Sequence, residues 1–201
     1  MRKVVVNMNL SLDGVMQAPG RPDEDRRGGF EHGGWATPYF DPVMGAVMAA
    51  GIATMPDLLF GRRTYEDFYS VWPKRTDNPF TEVLNNAQKY VASKTLAKPL
   101  VWENSTLLQG DAAEAVAKLK EQPGKDFVVL GSGELVQSLM RRNLVDEYVL
   151  SIHPLVLGSG RRLFPDSSPF ATLQLVDSKT TTTGVMIATY RPAASTAGGA
   201  S

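Results

Sequence analysis

The 201 residues, 43% of them apolar and 21% charged, suffice for one sizeable hydrophobic core and fall short of two enzyme domains. Lysine plus arginine equals aspartate plus glutamate at 21 each, so no broad basic field favours nucleic acid and no acidic tail favours a disordered partner. The absence of cysteine removes disulfides, thiolate catalysis and cysteine-held zinc, and with only His32 and His153 to add, no metal site is expected.

Lys3 to Leu12 reads as the first strand: Val4, Val5 and Val6 are β-branched, and Met8, Leu10 and Leu12 then alternate with Asn7, Asn9 and Ser11. The apolar run breaks at Asn7, too early for a signal sequence, and no run elsewhere reaches membrane-spanning length, which makes the cytoplasm the default location. Asp13-Gly14 ends the strand as a turn signal; a carboxylate leaving a central strand end is also where α/β sites put catalytic groups. Val15 to Gly34 has no sustained period and carries Arg-Pro-Asp-Glu-Asp-Arg-Arg-Gly-Gly, a loop long enough to be a lid. Asp41-Pro42 supplies an N-cap and a first helical position, with Val43, Met44, Val47 and Met48 as the buried stripe of a helix ending near Gly51.

Asp57 to Gly61 reads as a second buried strand that runs directly into Arg62-Arg63-Thr64-Tyr65. Cations at a helix start oppose the macrodipole by about 0.3–1 kcal/mol each, so either both side chains turn to solvent or an anion binds there. Gln88 to Ala92 makes a third strand followed by Ser93-Lys94-Thr95, again a hydroxyl and a cation past a strand end, and Leu100 to Glu103 reads as a fourth. Asp111 caps a helix whose Ala115, Val116 and Leu119 face inward and whose Lys118 and Lys120 suit its C-terminal end.

Phe127 to Leu130 is a short continuous apolar run, the pattern of a strand buried on both faces. Leu135, Val136, Leu139 and Met140 then recur at helical spacing after Gly131-Ser132-Gly133. A chain that turns on glycines from strand into helix exposes unpaired N–H groups to which phosphate is attracted, although an ordinary strand-to-helix turn fits the same residues. The Rossmann fingerprint is incomplete, because Val136 stands in place of a third glycine. Leu144 to Pro154 is a long alternating strand in which His153 reads as a packed strand residue, and Gly158-Ser159-Gly160 reads as a loop. Leu173 to Lys179 and Val185 to Tyr190 form an antiparallel hairpin closing the sheet. Residues 1–192 are expected to form a single domain, with Ala193 to Ser201 a disordered tail.

Three strand ends therefore carry phosphate-friendly groups, and if the sheet brings them to one edge they could hold a pyrophosphate and a further phosphate, as NADPH requires. Leu59-Phe60-Gly61-Arg62-Arg63-Thr64-Tyr65 resembles an element of dihydrofolate reductases. Ser11-Leu12-Asp13-Gly14, Leu144-Val145-Asp146-Glu147 and Leu157-Gly158-Ser159-Gly160 resemble the reductase domain of the bifunctional riboflavin-biosynthesis deaminase-reductases. The resemblance covers Lys3 to Arg191. It implies an α/β, dihydrofolate reductase-like three-layer fold: a central mixed, mostly parallel sheet flanked by helices, with a C-terminal antiparallel hairpin. It implies NADPH-dependent reduction of a C=N or imine-like bond in a pteridine-like or aminopyrimidine substrate of riboflavin or folate metabolism; a nucleotide-binding sensor of the same fold without turnover is the alternative.

Carried over by position, Arg62, Arg63 and Thr64 with Ser93 and Lys94 would hold the ribose phosphate and pyrophosphate. Gly131, Ser132, Gly133, Glu134 and Leu135 would hold pyrophosphate at their helix start, and the backbone around Met8 and Asn9 would face the nicotinamide. Trp35, Pro38 and Asp41 are similar to the tryptophan, proline and acid that open the first helix of dihydrofolate reductases, spaced one residue longer. Trp35, Asp41 and Asp13 would thus face the substrate, and Asp41, with Asp13 as its rival, would handle the proton through a pKa raised by burial. The resemblance also implies a homodimer paired through sheet edges and flanking helices. The riboflavin reductases resemble one another in an acidic residue before the glycine pair, where this chain has Leu130, which directs the reading to the wider superfamily.

Overall fold

The computed structural model describes residues 1–193. In chain order the strands are β1 Val4–Ser11, β2 Asp57–Gly61, β3 Lys89–Ala92, β4 Ser105–Leu108, β5 Phe127–Leu130, β6 Glu147–His153, β7 Leu173–Thr180 and β8 Met186–Pro192. The helices are α1 Pro42–Ala53, α2 Arg62–Val71, α3 Phe80–Asn86, α4 Ala112–Glu121 and α5 Gly133–Met140. Eight strands make one sheet in the order β4-β3-β2-β5-β1-β6-β8-β7. Pairing is parallel from β4 across to β6 and antiparallel at β6–β8 and β8–β7. The expected mixed, mostly parallel sheet with a C-terminal hairpin is therefore what the chain forms.

Strand alternation divides the side chains between two helical layers. Val4, Val6, Met8 and Leu10 of β1 bury on one face with Leu59, Val129 and the inward residues of α4 and α5, among them Val116, Val136 and Leu139. On the other face Leu58 and Phe60 meet Tyr65 of α2 and Leu84 of α3, while Met44 of α1 packs on Val185 and Ile187 of the hairpin. The odd-numbered β1 residues Val5, Asn7 and Asn9 are only half-buried on that second face, which leaves a cleft there. No helix among the described residues is long and apolar enough to cross a membrane.

The expected fourth strand is corrected. Leu100 to Glu103 is not a strand; the fourth strand is Ser105–Leu108. Trp102 is instead a plug: its backbone N–H donates to the Tyr65 hydroxyl oxygen at 2.8 Å rather than to a neighbouring strand, its indole N–H donates to Asn85 Oδ1 at 2.9 Å, and Phe60 stacks beside it. The short helix α3, not anticipated, lies beneath that plug. Ala193 donates its N–H to the Thr172 carbonyl at 2.8 Å, and the rest of the expected tail, residues 194–201, lies outside the described part of the chain.

Candidate active site

A cleft of about 1510 Å³ runs along the second face of the sheet and past the C-terminal strand ends. Asn7, Asn9 and Ser151 lie along its floor, α1 contributes Met44, Val47 and Met48, and Arg62–Thr64, Ser93–Lys94 and Gly131–Leu135 lie at its end. The parallel sheet brings all three expected phosphate-friendly segments to one edge, because β2, β3 and β5 are contiguous and point the same way. Met8 also borders the cleft.

Local hydrogen bonding separates groups free to meet a ligand from groups already committed. Thr64 Oγ1 accepts from the Ser132 N–H at 3.1 Å, and Ser132 Oγ accepts from the Gly61 N–H at 3.0 Å, so α2 and the glycine turn are clamped together. Ser132 holds a left-handed φ of 54° at the head of α5, a conformation that costs about 1–3 kcal/mol for a non-glycine residue and concentrates at functional sites. Ser93 Oγ accepts from the Thr95 and Leu96 N–H groups at 3.1 and 2.9 Å and serves mainly to turn the chain. The Arg63 and Lys94 side chains form no ion pair among the described residues, while Arg62 is paired with Glu66 at 3.0 Å on its own helix. Helix α2 has no side-chain cap and no acid in its first turn, so Arg63, unlike Arg62, meets the macrodipole without an ion-pair partner.

The N–H groups of Gly133, Glu134 and Leu135 head α5 and lack intrahelical acceptors. They could receive a phosphate, but the loop from Val15 to Gly34 lies across them: a Cβ on Gly133 would come within 1.9 Å of the Met16 methyl. Any side chain at position 133 would have to displace the Met16 thioether. The loop is tied to both walls, by Arg21 with Asp67 on α2 and by Arg27 with Glu134 on α5 at 3.2 Å. Gln17, which sequence reasoning passed over, organises it from within; its Nε2 donates to the Asp25 and Arg27 carbonyls and its Oε1 accepts from the Arg161 N–H. Arg161 also pairs with Glu134 at 2.8 Å, a role hinted at only by its place after the second Gly-Ser-Gly.

Residues 2–187 match the RibD C-terminal domain family. The chain belongs to that family. Two Bacillus subtilis (strain 168) proteins are similar to it: the uncharacterized protein YyaP is 30% identical over 194 residues, with 94% of each chain covered, and the uncharacterized protein YwjB is 28% identical over 131 residues, covering 63% of this chain and 68% of its own. Among solved structures, a putative riboflavin biosynthesis protein from Shewanella sp. PV-4 superposes with a TM-score of 0.71 at 23% identity, covering 96% of this chain and 99% of its own. A pyrimidine reductase-like protein from Corynebacterium diphtheriae gives a TM-score of 0.64 at 12% identity, covering 96% and 92%. The RibD C-terminal domain family is a reductase family, and the two structures share its fold.

In this RibD-type domain the two expected acids serve the backbone. Asp41 is buried; its Oδ1 accepts from the Met44 N–H at 2.8 Å as the cap of α1, and its Oδ2 accepts from the Thr182 N–H and hydroxyl at 2.7 and 2.8 Å. The Met44 N–H foremost, with the Thr182 contacts, holds its carboxyl below the usual range, so the expected raised pKa is corrected in sign. Asp13 is fixed by the Ser11 hydroxyl at 2.6 Å and by the Leu157 and Gly158 N–H groups at 3.1 and 2.9 Å, with the serine bond contributing most to a pKa lowered to about 2. Trp35 donates its indole N–H to the Gln17 carbonyl at 2.7 Å and packs with Val15 and Phe30 beneath the loop. None of Asp13, Trp35 and Asp41 lines the cleft.

Proposed function

We propose that this domain is an NADPH-dependent reductase that adds hydride to a C=N or imine-like carbon of a pteridine-like or aminopyrimidine substrate, in riboflavin or folate metabolism. The observation that carries the reading is the convergence of Arg62, Arg63, Lys94 and the head of α5 at one end of a single cleft whose floor is polar. NADPH, when bound, supplies the hydride. Arg62, Arg63 and Lys94 would give charge-assisted hydrogen bonds to the ribose phosphate and pyrophosphate, and the Gly133–Leu135 N–H groups would donate to a phosphate oxygen once Met16 moves aside. Met8 and Asn9 flank the nicotinamide end. With Asp13 and Asp41 held ionised by their hydrogen bonds, the proton comes from solvent admitted to the floor beside Ser151. The active species is a homodimer joined at the β7 edge, where Leu175 and Val176 are 52% and 46% exposed.

The test is cofactor preference. Replacing Arg62 and Arg63 together by Ala is expected to weaken NADPH by one to two orders of magnitude, on the scale of lost charge-assisted bonds, and to leave NADH nearly unchanged; fluorescence titration of both cofactors measures it. Equal losses would remove the phosphate assignment. A second reading, a nucleotide-binding sensor without turnover, is favoured by the commitment of both acids to structure. NADPH oxidation with a pterin, folate and aminopyrimidine panel separates the two.

A further inference from the structure

His153, at the end of β6, has no part in the reading above, yet it is fully buried and touches the cleft floor through one neighbour. Its Nε2 lies 3.1 Å from Asn9 Oδ1, and its Nδ1 has no hydrogen-bond partner among the described residues. Trp35 and Tyr39 stand edge-to-face with its ring at centroid distances of 5.1 and 5.5 Å, which closes the site around it. A proton on Nδ1 would bury a donor with no acceptor, and an imidazolium would add a buried charge to the same fault; a bare Nδ1 lone pair is the least costly of the three states. Nε2 therefore keeps the proton and donates to Asn9 Oδ1. That hydrogen bond decides which way the Asn9 carboxamide faces, with its oxygen toward His153 and its amino group turned away from it. Asn9 lines the cleft beside Ser151, its partner in strand register.

We propose that Asn9 determines specificity by offering its amide N–H group to a carbonyl-type acceptor on the bound heterocycle, and that His153 is the positioning residue that fixes the carboxamide in that sense. The inference rests on the reading of the cleft as the site of a planar nitrogen heterocycle. A ring lactam meets the amide as acceptor to donor. A ring with an amino group at the same place sets donor against donor and leaves both unpaired away from water, the arrangement by which polar sites reject near-isosteric ligands most strongly.

Lumazine, which carries ring carbonyls, and the diaminopteridine with amino groups in their place are suitable probes. Each is titrated by fluorescence into the full chain saturated with NADP⁺. The wild type is expected to bind lumazine at least about tenfold more tightly. Asn9→Asp keeps an oxygen for His153 and places a second oxygen where the amino group was, so the preference should reverse. His153→Phe fills the aromatic surround without a donor and should bring the two affinities together with NADP⁺ affinity intact, and His153→Gln should restore part of the discrimination. Nitrogen NMR of the wild type should show His153 protonated at Nε2 alone. An unchanged lumazine preference in Asn9→Asp overturns the role of Asn9. A proton on Nδ1, or full discrimination in a folded His153→Phe, overturns that of His153; should His153→Phe fail to fold, the NMR result and Asn9→Asp decide. If NADP⁺ binds but neither pteridine does, the substrate class fails and takes this inference with it, an outcome distinct from both pteridines binding equally to the wild type, which overturns the donor assignment alone.

Discussion

His153 is a neutral base held inside the sheet, and the fold must exclude a proton to keep it so. Burial pushes its pKa from 6.5 down to about 4. Because the folded value is the lower one, the associated stability is complete above pH 6.5 and is lost as pH falls toward 4, where the unfolded chain takes up a proton that the native one refuses. The loss should be on the order of 3 kcal/mol at the bottom of that window. Asp13, with its pKa lowered to about 2, loses its own contribution only below the ordinary carboxylate range, so the two effects occupy different parts of the pH scale. Urea unfolding of wild type and His153→Gln between pH 7 and 4.5 checks this: the difference between them should change steadily with pH, and parallel curves would show that His153 does not titrate against the fold.

At the scale of elements, the clamp between α2 and α5 decides whether the cations and the glycine turn share one geometry. Thr64→Val keeps the shape and removes the acceptor of the Ser132 N–H, which should cost about 1–3 kcal/mol. It should also weaken NADPH binding although the hydroxyl is spent on Ser132, and Thr64→Ser should behave like wild type in both respects. Thermal unfolding and NADPH titration of the two variants provide the measurement; a Val variant equal to wild type in both would make the clamp inconsequential. Most of this architecture was legible in the sequence, because β2 and β5 are short apolar runs bounded by glycine and α4 and α5 have regular inward residues. Leu100 to Glu103 misled because an apolar cluster centred on tryptophan looks the same whether it enters a sheet or fills a hole between helices. Asp13 and Asp41 are ambiguous in the sequence for a related reason: a cap and a catalytic acid occupy the same sequence position. Their commitment to the backbone comes from Leu157, Gly158 and Thr182, partners more than a hundred residues distant that no local pattern announces.

For the whole molecule, β7 is the exposed edge of the sheet, nearly all of its residues open to solvent on both faces. A strand of that kind invites pairing with another copy. Light scattering over a concentration series is expected to give a dimer for the wild type and a monomer for the Leu175→Lys, Val176→Lys double variant, and a wild type that stays monomeric throughout would rule the β7 contact out. The placement of Met16 over Gly133 has a consequence in time. If the Val15–Gly34 loop must lift before a cofactor phosphate reaches the head of α5, the association rate in stopped-flow mixing should rise with NADPH concentration and then level off at the loop's own opening rate. Added salt weakens the partly exposed Arg27–Glu134 and Arg21–Asp67 ties, and should raise that plateau even as it lowers equilibrium affinity. A rate that climbs linearly without limit would mean that the cofactor arrives by a path the loop does not bar.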